Sequence, residues 1–304
     1  MGLKKQLMRV YYGLDTWQEF LLFAFGKITK SSVKYTEFFC NEHSRHLAKK
    51  YVTDNCIKIK DVKLPLLSKE REVAFFTSIF EDTFASYVYF NDCYDEDTFD
   101  KIDNFLMEGL YGLVNDKVNV TVEPNDVVID AGSWIGDFAA YASVKRGGVI
   151  YAFEPSEENY QYLLKTAELN TNIIPVKKGL SNEITSTHIF KNITGNSGSD
   201  SLMNKSSDDT FQEAADTVET ITLDEFVREN NLERVDFIKC DIEGFERNML
   251  EGAQETLKKF APKLALCTYH LPDDPEVMAK LIKQANPAYN IVQKRCKLFA
   301  SVQK

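Results

Sequence analysis

Asp126-Val-Val-Ile-Asp-Ala-Gly-Ser-Trp-Ile-Gly136 is the stretch on which the fold turns. Val127 to Asp130 reads as a short buried strand ending in an acid. Gly132 and Gly136 then bracket a tight turn into a helix expected from about Ile135 to Lys145. Glycine lets the backbone approach a ligand closely, and a helix N-terminus presents unpaired N–H groups. A dinucleotide-binding turn would carry G-x-G-x-x-G. Here the acid precedes the glycines and the first close glycine pair is missing, which disfavours a pyrophosphate ligand and with it a nicotinamide-dependent oxidoreductase. An acid in this turn suits a cationic ligand, and a sulfonium amino acid is one. Glu154, 24 residues after Asp130 and at the end of the next strand, stands where a carboxylate accepts hydrogen bonds from both hydroxyls of a ribose.

Working outward, short apolar strands alternate with helical segments from about Val118, the signature of a parallel sheet covered by helices. Strands are expected at Val149 to Glu154, Ile173 to Val176, Val235 to Asp241 and Leu264 to Thr268, with a closing hairpin at Tyr289 to Val292 and Lys297 to Val302. Helices are expected to open at Ser156 and Pro275, and a single one to run from Met249 to Phe260. Thr222-x-x-Glu225 reads as a capping box. Residues 181–217, rich in Ser, Asn, Gly and Asp, read as a loop with one short strand at Thr187 to Phe190, and Gly195–Asp200 within it as a lid over the cofactor.

Asp126 to Gly136, Tyr151-Ala-Phe-Glu-Pro155, Thr222-Leu-Asp224, Val235-Asp-Phe-Ile-Lys-Cys-Asp-Ile-Glu-Gly-Phe-Glu246 and Pro262-Lys-Leu-Ala-Leu-Cys-Thr-Tyr-His270 together resemble the FkbM family of S-adenosylmethionine-dependent methyltransferases. The resemblance covers about residues 105 to 300. It implies an α/β, Rossmann-like seven-stranded methyltransferase sheet with helices on both faces, and O-methylation of a hydroxyl on a sugar, glycan or natural-product acceptor. Asp130, Gly132, Ser133 and Gly136 would cradle the methionine part of the cofactor, Glu154 its ribose, and Ser181 and Asn182 its adenine edge. Asp241 and Glu243 end the fourth strand and His270 the fifth, so all three should open on one carboxyl-end crevice. His270 is the expected base, since imidazole is half-neutral near physiological pH. Asp241 would serve the cofactor, the chemistry, or both. Asp241, Glu243 and His270 also form a plausible ligand set for a divalent metal, although their spacing carries no metal-specific signature. A cofactor-binding scaffold without catalysis is the competing reading.

The 304 residues hold 36 basic and 46 acidic side chains, net −10, which argues against nucleic acid as the partner. The mean conceals a split: residues 1–60 carry +6 and residues 61–304 carry −16. Residues 1–104 are therefore read as a mainly helical extension, and 105–304 as the methyltransferase domain. Leu3, Leu7, Val10, Leu14, Trp17, Leu21 and Ala24 recur at helical spacing among six lysines and arginines. That face would pack on the protein, dock on a partner or a membrane surface, or support a homo-oligomer. Glu81 to Glu108 holds nine acids and one lysine, a solvated face or part of an acceptor pocket. Six scattered cysteines show neither a zinc pattern nor a disulfide framework, and no apolar run spans a bilayer, so the expected location is cytoplasmic.

Overall fold

The computed structural model describes residues 51–59, 61–69, 71, 72 and 75, and from 111 onward all but 147, 193–198, 204–207, 209, 295 and 304. The helices expected within the first 34 residues and the acidic run from Glu81 to Glu108 lie outside the described residues. The chain divides into two compact units, Met1–Lys60 with Leu66–Met107, and Asp61–Pro65 with Glu108–Lys304. In the first, β1 (Ile57–Ile59) alternates buried, exposed, buried. The turn before it is closed by the Thr53 hydroxyl, which donates to the Cys56 carbonyl at 2.7 Å.

In the second unit β2 (Val62–Leu64) is followed by a small antiparallel pair, β3 (Leu113–Val114) and β4 (Asn119–Val120). The regular alternation then begins: β5 (Val127–Ala131), α1 (Asp137–Arg146), β6 (Val149–Phe153), α2 (Glu157–Leu169) and β7 (Ile173–Val176). After β8 (Gly179–Leu180), β9 (Ser186–Asn192) and β10 (Phe211–Ile221) come α3 (Leu223–Glu229), β11 (Phe237–Cys240), α4 (Glu246–Glu251), α5 (Gln254–Phe260) and β12 (Lys263–Cys267). The chain ends with α6 (Asp274–Ala285), β13 (Asn290–Lys294) and β14 (Lys297–Ser301).

Seven strands form the main sheet in the order β13-β14-β12-β11-β5-β6-β7. The five from β12 to β7 are parallel, and the β13–β14 hairpin is added antiparallel at one edge. All four residues of β11, and four of five in β5 and β12, are buried, as a sheet covered on both faces requires. Successive strands run outward from β5 through β6 to β7, and on the other side from β11 to β12. The order therefore reverses between β5 and β11, and in open α/β sheets ligands bind outside the carboxyl ends at such a point. The expected α/β architecture and its seven-stranded sheet are present in the described residues.

Two local expectations need correction. Residues 181–217 are a loop only in part: the short strand expected at Thr187 to Phe190 is present within β9, but it pairs antiparallel with a second, unexpected strand, β10, which continues to Ile221 and pairs parallel with β8. Most described residues of β10 are exposed or half-buried, so it needs little apolar character, and polar composition hid it. The single helix expected over 249–260 is two, α4 starting earlier at Glu246 and α5 following a break at Gly252 and Ala253. Ser156 does open α2, but its hydroxyl does not cap the helix and donates instead to Asp200 Oδ2 at 3.1 Å. Thr222 does cap α3, its side chain accepting from the Glu225 amide at 3.1 Å, while the Glu225 carboxylate accepts from Arg228.

Candidate active site

At the carboxyl ends of β5, β6 and β11 lies a cavity enclosing about 510 Å³, part of it open to solvent. Gly132 and Trp134 line it from the turn after β5, Glu154 from the end of β6, and Asp241 and Glu243 from the turn after β11. Asp200 and Leu202 close the remaining side. Four carboxylates thus face one crevice, with Lys178 the basic side chain among its lining.

The turn after β5 is sealed from within. Asp130 has no exposed surface, and Lys239 Nζ lies 3.1 Å from its Oδ1. Burial opposes the lysine's charge, but Asp130, Asp241 and Asp137 outweigh it and raise its pKa. Lys239 also donates to the carbonyls of Gly132 at 2.5 Å and Ala131 at 3.3 Å, binding the end of β11 to the turn. Asp130 therefore does not face the cavity, and the cation it matches is Lys239 rather than a ligand. The Ser133 hydroxyl donates to the Asp130 carbonyl at 2.9 Å, and the amides of Gly132 and Ser133 both donate to the Phe153 carbonyl. Gly132, at φ +75, does reach the cavity, and a Cβ there would stand 1.8 Å from the Asp241 carbonyl oxygen. Gly136, at φ +85, is tight for another reason, since its Cβ would meet Leu163 and Thr166 of α2. Ser133 and Gly136 do not line the cavity, contrary to expectation, because their contacts are spent on β6 and α2.

Glu154 sits at the cavity wall, 5% exposed. Its Oε2 accepts from the Trp134 amide at 2.8 Å and its Oε1 from the Ser156 amide at 2.9 Å. Burial outweighs these donors and pushes its pKa up to about 8. The adenine-edge expectation at Ser181 and Asn182 fails in this geometry. Ser181 is buried, with its amide on the Ile221 carbonyl, and Asn182 turns toward α4, donating to Glu251 Oε2 at 2.8 Å. Lys178, Gly179 and Leu180 occupy the wall instead. Trp134 lines the crevice, whereas Tyr151 packs edge-on against Phe226 in the core.

Asp241, Glu243 and His270 are brought together as the strand ends required. Asp241 Oδ2 accepts from the Tyr111 hydroxyl at 2.8 Å and Oδ1 from the Tyr269 hydroxyl at 3.0 Å. Burial alone would raise the Asp241 pKa, but Lys239, Lys297, His270 and the Tyr111 hydroxyl hold it below the usual carboxylate range. Burial raises the pKa of Glu243, which has φ +55. Its turn is fixed by Glu246, whose two oxygens accept from the amides of Ile242 at 2.8 Å and Gly244 at 3.0 Å.

His270 corrects the sequence reading. Nε2 lies 3.2 Å from Glu243 Oε2 and Nδ1 3.2 Å from Glu246 Oε1, with the side chain 7% exposed. Neither contact has hydrogen-bond geometry. Burial opposes a charge on the ring, yet the two carboxylates more than offset it and push the pKa up to about 10. The two flanking carboxylates thus favour the protonated ring, which weighs against the half-neutral base expected from an isolated imidazole. Residues that sequence reasoning passed over are Lys239, Asp200, Tyr111 and Tyr269. Lys239 carried a signal, since a lysine inside an otherwise apolar central strand needs a buried partner. The tyrosines carried none, because their contacts cross 130 and 28 residues of chain.

A family model described as "Methyltransferase FkbM domain" matches residues 129–288, more than half of the chain. The hexuronic acid methyltransferase AglP of Haloferax volcanii is 26% identical over 172 residues, 56% of this chain and 67% of that protein. The methyltransferase sdnD of Sordaria araneosa is 31% identical, over 43% of this chain and 61% of its own length. A crystal structure of an FkbM methyltransferase from Methylobacillus flagellatus superposes with a TM-score of 0.47 at 16% identity, covering 87% of this chain and 60% of that one. The chain thus spans about three fifths to two thirds of the proteins it matches. With the switch-point crevice, the glycine turn and the strand-end acids in place, this chain belongs to the FkbM family of S-adenosylmethionine-dependent methyltransferases.

Proposed function

We propose that this protein methylates a hydroxyl of a sugar or glycan, and that the carrying observation is the polar wall formed by Asp241, Glu243 and the Tyr269 hydroxyl beside the cofactor crevice. Such a wall offers acceptors and donors to a polyhydroxylated molecule, whereas a lipid or aromatic acceptor would call for apolar lining. AglP, a relative described as acting on a hexuronic acid, supports the same class. The residues present fit the cofactor. Asp241, whose pKa is held below the usual carboxylate range, offers negative charge to a sulfonium cation, and Gly132 leaves backbone where a Cβ would collide with Asp241. Glu154 is placed to hold the ribose, and Trp134 to cover the nucleoside. The roles expected of Ser181 and Asn182 pass to Lys178, Gly179 and Leu180.

S-adenosylmethionine supplies, when bound, an electrophilic methyl group. Transfer forms an O–C bond to the acceptor as the C–S bond breaks, its electron pair staying on sulfur. Alignment of such a displacement is worth up to roughly 7–11 kcal/mol, far more than a base contributes. Asp241 and Glu243 orient the hydroxyl and draw off its proton. His270 and Glu246 hold Glu243 in place. The free thiols of Cys56, Cys240, Cys267 and Cys296 fit a reducing, cytoplasmic setting, and no helix among the described residues is long and apolar enough to cross a membrane.

The test is to incubate the full chain with methyl-labelled S-adenosylmethionine and a panel of hexuronic acids, neutral sugars and their short oligosaccharides, and to locate the label by NMR. A methyl ether on a sugar hydroxyl is expected. Label confined to the carboxylate of the uronic acid, or to amines and thiols, would overturn the hydroxyl reading.

A further inference from the structure

We infer that the ring of Tyr269 is the platform on which the acceptor sugar lies, with one C–H face of a pyranose against the ring and its hydroxyls turned to Asp241 and Glu243. The inference rests on the sugar reading above and adds the residue that recognises the sugar's shape. Among the described residues Tyr269 is the only exposed aromatic side chain, with 51% of its surface in solvent. A ring left open in this way forgoes the apolar burial that stabilises most aromatic side chains. Tyr269 stands two residues past the end of β12. Its hydroxyl donates to Asp241 Oδ1 at 3.0 Å and lies 3.5 Å from Glu243 Oε1. Both carboxylates line the cofactor cavity, so the open ring stands at its rim.

The ring is also held in place. Its hydroxyl is tied to Asp241 at one end, and its body leans on His270 at a centroid distance of 4.0 Å and an interplanar angle of 42°. His270 is in turn wedged between Glu243 and Glu246. A ring fixed before binding loses little conformational freedom when an acceptor docks. Its π face carries partial negative charge and attracts polarised C–H groups, while its hydroxyl end is bordered by acceptor oxygens. A pyranose has the complementary surface, a patch of C–H groups bordered by hydroxyls that donate. A lipid or an extended aromatic acceptor would call for apolar surface continuing beyond the ring, where Asp241 and Glu243 stand instead.

The test uses the full chain, saturating S-adenosylmethionine and the sugar from the panel above that accepts the methyl group best. Tyr269→Ala should raise KM for that sugar about tenfold, the loss expected for one stacked ring. Tyr269→Phe keeps the ring and drops only the hydroxyl's hold on Asp241, so its KM should stay within about twofold of wild type while kcat falls. Calorimetric binding of S-adenosylmethionine shows which variants are folded, and Tyr269→Leu, apolar but without a π face, takes the place of Y269A if that variant is not. A KM in folded Y269A or Y269L equal to that of the wild type, or one raised as much in Y269F as in Y269A, overturns the platform and leaves the methyltransferase reading standing. Methyl transfer to no sugar of the panel discards the sugar acceptor, and the platform with it.

Discussion

The two turns that meet at the switch point, one after β5 and one after β11, are built from similar residues and used in opposite ways. In the first, Asp130 is buried on Lys239, the amides of Gly132 and Ser133 are spent on Phe153, and Gly136 packs on α2. In the second, the framework groups are Glu246 and Gly244, while Asp241 and Glu243 remain on the cavity wall. A turn with a recognisable glycine pattern can thus serve chiefly as scaffold, and its neighbour presents the reactive groups. Lys239 joins them, since it sits on β11 and donates to the carbonyls of the β5 turn.

Cutting that link should have the largest effect. Lys239→Met leaves the Asp130 carboxylate buried and unpaired, and breaking such a pair costs about 3–5 kcal/mol. Urea unfolding should show that loss, and the double variant with Asp130→Asn should recover much of it, because both charges are then gone. Equal stability of the single and double variants would mean that the two turns are not joined by this ion pair.

A smaller effect is expected where the turns touch without charge. Gly132→Ala places a methyl 1.8 Å from the Asp241 carbonyl oxygen at φ +75, so the β11 turn must shift. Strain of this kind costs roughly 1–3 kcal/mol. Thermal unfolding should fall accordingly, and cofactor affinity should fall with it. A variant that loses stability but binds cofactor normally would show that the spacing of the turns does not shape the crevice.

The sheet was legible because its strands are buried on both faces, and such strands announce themselves as apolar runs between helices with capping signals. Strand β10 was not, because a strand that largely faces water leaves little apolar trace, whereas Ile189 and Phe190 gave β9 away. At the site, Glu154, Asp241, Glu243 and His270 were correctly drawn to the same ends of the sheet, since topology alone puts strand ends there. What the sequence did not show was the pair of carboxylates flanking His270 and the partner of Asp130. These are Glu243 with Glu246, and Lys239, whose side chains meet them only after folding. Ser181 and Asn182 failed similarly, since a position just past a strand says where the backbone goes but not that Asn182 turns to Glu251.

Glu154 bears on the central claim most directly, as the carboxylate that should hold the cofactor's ribose at this crevice. Burial raises its pKa to about 8, so the folded chain holds this proton more tightly than the unfolded one does. From this group, stability without ligand should be greatest at low pH and decline as pH rises from the ordinary glutamate range through about 8. Ribose hydroxyls donate best to the ionised form, so cofactor affinity should move the other way over the same range. The decisive measurement is calorimetric titration of S-adenosylmethionine into the wild-type chain and Glu154→Gln on both sides of that value. Binding that tightens with pH in the wild type, and that is at least about tenfold weaker and nearly flat in the variant, is the expected result, the loss of a hydrogen bond to a charged group being worth about 1.5–3 kcal/mol. No binding to the wild type, or equal binding to both, would contradict it.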